Sequence, residues 1–156
     1  MSGDHLIAPR LLAQYLHLSG MKKLYTAVVT AQGGRNGHIK SSDGILEMEL
    51  RKPHETGGQG GASNPEQLFA GAWGPCYLGA LGTIAKNEGI DVSEANVSVH
   101  VTLNEDGKEY ALSAELDVHI PGIPIEEAQK LADKTHSVCP YSKAVRNNID
   151  VRVTAI

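Results

Sequence analysis

Cys76 and Cys139 are the only two cysteines in a chain of 156 residues, and each stands in a setting that bears on thiol chemistry. Cys139 lies where a short helix begins, directly ahead of Pro140, a residue suited to a first helical turn. Unpaired amides and the helix dipole there favour a thiolate, so the position predicts a lowered pKa for Cys139. Cys76 falls in the middle of a long apolar helical pattern. Burial alone raises a thiol pKa and makes the group inert, so Cys76 needs a nearby cation to act as a nucleophile. On the residues alone three readings stand open: two unrelated buried cysteines, a redox pair, or a metal site formed by Cys76, Cys139 and His136. The metal reading is the thinnest, because His136 and Cys139 make one short ligand pair and the chain lacks a second.

The element that carries Cys76 runs from Asn64 to Gly89. Asn64 is a good N-cap, Pro65 suits the first turn, and Gln67 is spaced to complete a capping box. Leu68, Phe69, Ala72, Trp73, Tyr77, Ala80, Leu81, Ile84 and Ala85 recur at steps of three and four, and Asn87-Glu88-Gly89 reads as a stop. Few polar residues interrupt the pattern, which predicts a buried helix. Gly71, Gly74, Gly79, Gly82 and Pro75 lie inside it, at roughly 1 kcal/mol per glycine and about 3 kcal/mol for an interior proline. Close approach of another backbone offsets such a cost, and the proline frees a carbonyl one turn earlier, bending the helix just before Cys76.

Ahead of this helix, residues Met1 to Gly20 read as an extension or remnant with one short amphipathic helix over Pro9 to Leu18, and residues 21–156 as a single domain. Leu24 to Ala31 is a strand by its β-branched and aromatic content. The glycine-flanked Arg35 marks a tight turn, and Asp43-Gly44 a hairpin leading into a strand over Ile45 to Arg51, which together give an antiparallel meander. Gly57 to Gly61 reads as a flexible linker; it is no phosphate loop, because no Gly-Lys-Ser/Thr follows.

Beyond the helix, Val97 to Leu103 and Tyr110 to Ile120 alternate strictly around an Asp106-Gly107 turn, forming a hairpin with one face buried. Ile125 to His136 is an amphipathic helix, a short helix follows through Arg146, and Ile149 to Ile156 closes as a strand. This order defines an α+β fold.

The composition narrows the classes. A hydrophobic share of 41% fits one globular domain with a real core. The net charge of −4 offers no basic field for nucleic acid, and 4% aromatic content argues against a stacking surface. No run approaches the length expected of a membrane span. Two distant cysteines without a signal peptide point to a cytosolic chain, where thiol pairs are more often redox-active or metal-binding than structural.

Asn64-Pro65-Glu66-Gln67-Leu68-Phe69-Ala70 followed by Cys76, and Val138-Cys139-Pro140-Tyr141-Ser142 followed by Arg146, resemble the two cysteine motifs of the organic hydroperoxide resistance (Ohr) proteins of the OsmC-like superfamily. Lys23-Leu24-Tyr25-Thr26-Ala27, Gly34-Arg35-Asn36-Gly37 and Ser42-Asp43-Gly44 resemble the same family in the same order, so the likeness runs from about Met21 to the C-terminus. The family places small residues and an aromatic ahead of the first cysteine. Here Gly71-Ala72-Trp73-Gly74-Pro75 precedes Cys76, a difference that bears on pocket shape and substrate preference.

The resemblance implies antiparallel sheets around a long central helix in an intertwined homodimer, and a thiol peroxidase with no metal or organic cofactor. Cys76 would be the peroxidatic thiolate and Cys139 the resolving thiol, paired as a disulfide that a dithiol donor, typically a lipoyl group on a protein, reduces. Arg35 would keep Cys76 ionised, and Glu66 would orient the guanidinium. Taken alone, Arg35 reads as an exposed turn residue, Glu66 as a first-turn acid facing the helix dipole, and Tyr141 as packing at a helix start.

Glu66 precedes Cys76 by ten residues, about 15 Å along one helix, so a straight helix cannot bring them together within a chain. Antiparallel pairing with a second copy, crossing near Gly71, brings Glu66 of one subunit beside Cys76 of the other. A pocket lined by Phe69, Trp73, Tyr77 and Tyr141 would prefer alkyl or lipid hydroperoxides to hydrogen peroxide. Two other readings accompany this one: an OsmC-type general stress peroxidase, and a non-catalytic dimer that binds a hydrophobic ligand.

Overall fold

The structure is a computed structural model, and it describes residues 20–156. The helix expected over Pro9 to Leu18 lies outside the described residues. The chain opens with an antiparallel meander of three short strands, β1 (Val29–Gln32), β2 (His38–Ser41) and β3 (Glu47–Glu49). Both outer strands are shorter than their sequence patterns, because only the residues opposite β2 find ladder partners. Residues 24–28 form no strand. The Asp43-Gly44 turn forms as expected: Asp43 Oδ1 accepts from Ser41 Oγ and the Ile45 amide, and Gly44 takes φ 74°.

The Gly57 to Gly61 stretch is not a loose linker. Its amides donate back to Pro53 and Lys52 carbonyls, and a bridge between Leu50 and Ser63 closes the loop behind it. Backbone bonding supplies the order that the glycine content argued against.

The central helix α1 (Pro65–Glu88) begins as its cap predicts, with Asn64 Oδ1 accepting from the Gln67 amide at 2.9 Å, although the Gln67 side chain bonds Ser63 instead of closing the box. It runs unbroken through Pro75 to Gly89, whose left-handed φ of 70° ends it. Only one face is buried. Trp73, Tyr77, Leu81 and Ala85, four residues apart, lie fully out of solvent, whereas Gly71, Ala72, Pro75 and Gly79 remain exposed. Trp73, Tyr77 and Leu81 each gain about 1.5–3 kcal/mol by burial, a sum of the same order as the cost of the interior glycines and proline. By length and hydropathy α1 is also long and apolar enough to cross a membrane, contrary to the sequence expectation. Here it packs instead on a second sheet and on two later helices.

That sheet comprises β4 (Asn96–Glu105), β5 (Tyr110–His119) and β6 (Asp150–Ala155). The β4–β5 hairpin is antiparallel, but β6 pairs parallel with β5, a correction to an all-antiparallel layout. The crossover between β5 and β6 carries α2 (Ile125–Val138) and α3 (Pro140–Val145), which cover the same side as α1. Leu116, Val118, Leu131 and Ala132 close the core against the buried stripe of α1.

Candidate active site

Two fully buried hydrogen bonds bring the cysteines together. Trp73 Nε1, one turn before Cys76, donates to Ser142 Oγ at 3.1 Å, and the Tyr77 hydroxyl, the next residue after Cys76, donates to the Ala132 carbonyl at 2.6 Å. The α2–α3 junction is thereby fixed against the middle of α1, and Cys139 at that junction directs its Sγ to Cys76 Sγ at 3.7 Å. Both thiols are free; Cys139 is fully buried and Cys76 half-buried. Arg146 completes the junction by donating to the last carbonyls of α2, on His136 and Ser137.

Burial pushes the Cys76 thiol up, and the Cys139 thiol beside it adds to the rise, while the backbone amide of Tyr141, directed at Cys76, pulls the other way. The helix start that sequence reasoning assigned to the Cys139 thiolate therefore aims its amide at Cys76. Among the described residues no cation bears on the Cys76 thiol.

The cation stands elsewhere. Gly33 in the left-handed region (φ 79°) opens the turn that carries Arg35, Gly37 closes it where any Cβ would collide with the Gln32 carbonyl, and Asn36 Oδ1 ties it to the Lys52 amide. Arg35 reaches Glu66 in the first turn of α1 through two parallel bonds, Nη1 to Oε2 at 2.9 Å and Nη2 to Oε1 at 2.6 Å. Arg35, through its bond to Glu66, holds that carboxyl below its ordinary range, and the carboxylate in turn raises the guanidinium pKa. Within this pair Glu66 lies on the same helix as Cys76, yet ten residues of α1 separate the two, about 15 Å along the axis.

Three clefts meet at Arg35. One of about 280 Å³ lies between Phe69 and the hairpin residues Leu103, Tyr110 and Leu112, and the others extend past Ala70 and Val101 or past Lys52 and Glu105. None of these reaches Cys76. A cleft of about 570 Å³ between the Arg35 turn and the glycine loop touches neither cysteine.

A family model described as OsmC-like protein matches residues 58–154. The organic hydroperoxide resistance protein of Xanthomonas axonopodis pv. citri is 42% identical over 135 residues, covering 85% of this chain and 95% of its own. The chain belongs to the OsmC-like family. Bacillus subtilis OhrB is likewise 42% identical over 83% of this chain and 96% of its own length. Among solved structures, an organic hydroperoxide resistance protein from Legionella pneumophila matches with a TM-score of 0.81 at 41% identity, covering 86% of this chain and 98% of that one. One from Elizabethkingia anophelis, with crystallant-derived thiocyanate bound, matches at 0.80 and 45%, with the same coverage.

Against this OsmC-like fold the sequence-predicted residues divide. Cys76 and Cys139 come together, as do Arg35 and Glu66, but the two pairs do not meet within one chain. Phe69 lines a cleft at Arg35, stacked edge-on to Trp73 with ring centroids 5.7 Å apart. Tyr141 is exposed beside Cys76. Trp73 and Tyr77 are a correction: both lie wholly out of solvent with their polar ends bonded internally, so they anchor helices and line no opening. Cys76, Cys139 and His136 form no metal-binding cluster among the described residues, and His136 Nδ1 is buried without a partner. Sequence reasoning missed Leu103, Tyr110 and Leu112. Their alternation marked a buried strand face, but nothing in it put that face opposite Arg35.

Proposed function

We propose that the chain is a cysteine-based peroxidase that reduces organic hydroperoxides to alcohols. The observation that carries this reading is the approach of two free sulfurs to 3.7 Å, one half-exposed and one buried. The Cys76 thiolate attacks the distal peroxide oxygen, the O–O bond breaks, and the alkoxide leaves as the alcohol after taking up a proton. Cys139 then attacks the Cys76 sulfenic acid, water leaves, and a disulfide forms. A dithiol, of which a lipoylated protein is the type the family resemblance implies, restores both thiols by exchange, with no metal or organic cofactor.

A thiol raised by burial is a poor nucleophile, so Cys76 needs a cation that the described residues of its own chain do not bring. The proposed source is Arg35 of a second copy, held by the Glu66 of that copy, in a homodimer with two composite sites. Two features support the pairing. A Cβ on Gly71, Gly79 or Gly82 would meet nothing within 4 Å among the described residues, which leaves room for the close approach of another molecule. The apolar side chains of Leu24, Tyr25, Val28 and Ile45 are also exposed. The clefts at Arg35, lined by Phe69, Leu103 and Leu112, suit an alkyl tail and so favour organic over hydrogen peroxide. The proposed setting is the cytoplasm, where reducing dithiols are maintained.

Intact mass after stoichiometric organic hydroperoxide tests the scheme. Wild type is expected to lose two hydrogens, Cys139→Ser to gain oxygen, and Cys76→Ser to do neither. A wild type that keeps both thiols free would favour a ligand-binding protein instead.

A further inference from the structure

The two hydrogen bonds that bracket the sulfurs do more than pack a core. Trp73 and Ser142 are each fully buried, each three residues from a cysteine, Trp73 before Cys76 and Ser142 after Cys139. Tyr77 and Ala132, also fully buried, make the matching bond on the α2 side. None of these groups has water as an alternative partner, so each bond is held for as long as the helices stay packed. Between them the junction of α2 and α3 cannot slide along or lift from α1 without leaving a buried donor unpaired. The gap that remains, from 3.7 Å to the about 2.05 Å of a disulfide, is a side-chain movement and not a helix movement.

We propose that the Trp73–Ser142 bond is a positioning device for the resolving step: it holds Cys139 where it captures the Cys76 sulfenic acid before a second peroxide does. This inference rests on the peroxidase reading above. Two reactions compete for the sulfenic acid. In one, the Cys139 thiol displaces water and the two sulfurs share a new bond. In the other, a second hydroperoxide gives up an oxygen to the Cys76 sulfur, leaving a sulfinic acid and an alcohol, and the enzyme is lost. The first is intramolecular and depends on geometry; the second depends on peroxide concentration alone. A residue that only places Cys139 therefore changes the ratio of the two products and not the initial attack.

The experiment uses the full chain with excess cumene hydroperoxide, separating the disulfide from the sulfinic form by intact mass, and following the first loss of the Cys76 thiol separately. Ser142→Ala is expected to keep the initial attack within about twofold of wild type while the sulfinic fraction per turnover rises on the order of tenfold. Trp73→Phe, which keeps most of the ring, is expected to raise it similarly, and the double variant no more than either single one, because both remove the same bond. Tyr77→Phe repeats the test on the second tether. Trp73 is the only tryptophan in the chain, so its emission reports directly whether Ser142→Ala has released the indole.

An emission change without a change in product ratio would overturn the inference, as would a double variant whose effects add. A general loss of stability that slows both steps alike would also overturn it, since that is the signature of packing alone. Wild type that never loses the Cys76 thiol to peroxide would instead sink the peroxidase reading itself.

Discussion

Behind the sulfurs the packed side chains are out of solvent, from Trp73, Tyr77 and Leu81 on α1 to Leu131, Cys139 and Val145 opposite, whereas the N-terminal segment that carries Arg35 is largely bare. Leu24, Tyr25 and Ile45 are each more than 80% exposed, and all four residues of β1 face solvent. Each region holds half of the proposed site. The thiol half is finished within one chain: two sulfurs, a helix junction to present one of them, and buried bonds to hold the junction. The cation half is also finished locally, with Arg35 and Glu66 paired through two bonds, but it stands one and a half nanometres along α1 from the group it would ionise, at about 1.5 Å per residue. The contrast teaches that burial and charge are supplied by different parts of the fold, which the proposed second copy would join.

The largest expected effect breaks the thiol half. Cys76→Ser replaces the attacking sulfur with a hydroxyl that stays protonated, and peroxide consumption with a dithiol donor is expected to fall by on the order of a thousandfold or more. Turnover that survives would move the nucleophile to Cys139 and remove the basis for reading the two regions as complementary.

Next in size is the loss of the cation half. Arg35→Ala is expected to reduce kcat/KM by about 10²–10³-fold, the range seen when one preorganised charge-stabilising donor is removed. Mixing Arg35→Ala with Cys76→Ser sharpens the comparison. If Arg35 acts across the two-fold, exchange of subunits creates one intact site in each mixed dimer and restores roughly a quarter of wild-type activity. If Arg35 acts within its own chain, no mixture recovers anything.

How much of this was legible beforehand differs between the same two regions. The motif around Asn64 announced the start of α1, and the four-residue spacing of Trp73, Tyr77, Leu81 and Ala85 announced a buried stripe, because both are local statements about one helix. The role of Trp73 was misread for the same reason: spacing says that a ring faces inward, and only the tertiary partner Ser142, far along the chain, says whether it meets a ligand or a hydroxyl. The direction of β6 was also hidden, since an alternating strand looks the same run parallel or antiparallel to its neighbour. The helix start at Cys139 was read correctly as a source of oriented amides, but a sequence cannot tell which sulfur that amide faces.

A smaller effect concerns pH. The reactive form is the thiolate, so a thiol pushed up by burial reacts faster as pH rises, and a nearby guanidinium moves that rise to lower pH. Arg35→Gln keeps a polar side chain but removes the charge. Its rate of Cys76 oxidation is expected to climb with pH along a limb displaced upward by about one unit or more from wild type. Stopped-flow oxidation across the alkaline range measures it, and superimposable limbs would separate Arg35 from the ionisation of Cys76.

The smallest effect turns on sign. Among the described residues of one chain a Cβ on Gly71 meets nothing within 4 Å, and Gly71 is exposed in the interior of α1. For a lone helix, Gly71→Ala should therefore stabilise by roughly 0.5–1 kcal/mol, the ordinary gain from removing glycine from a helix interior. The proposed crossing near Gly71 reverses this, because the same methyl would meet the backbone of the second copy. Gly71→Ala is thus expected to weaken self-association in sedimentation or dilution measurements while leaving the helical content of each chain unchanged. Gly74→Ala is the internal comparison, since its Cβ would rest in ordinary contact with Val97 and Val99 of the same chain and should not respond to dilution. An association unchanged by Gly71→Ala, with the full helix gain in stability, would move the second copy off this face of α1 and leave Arg35 without its proposed target.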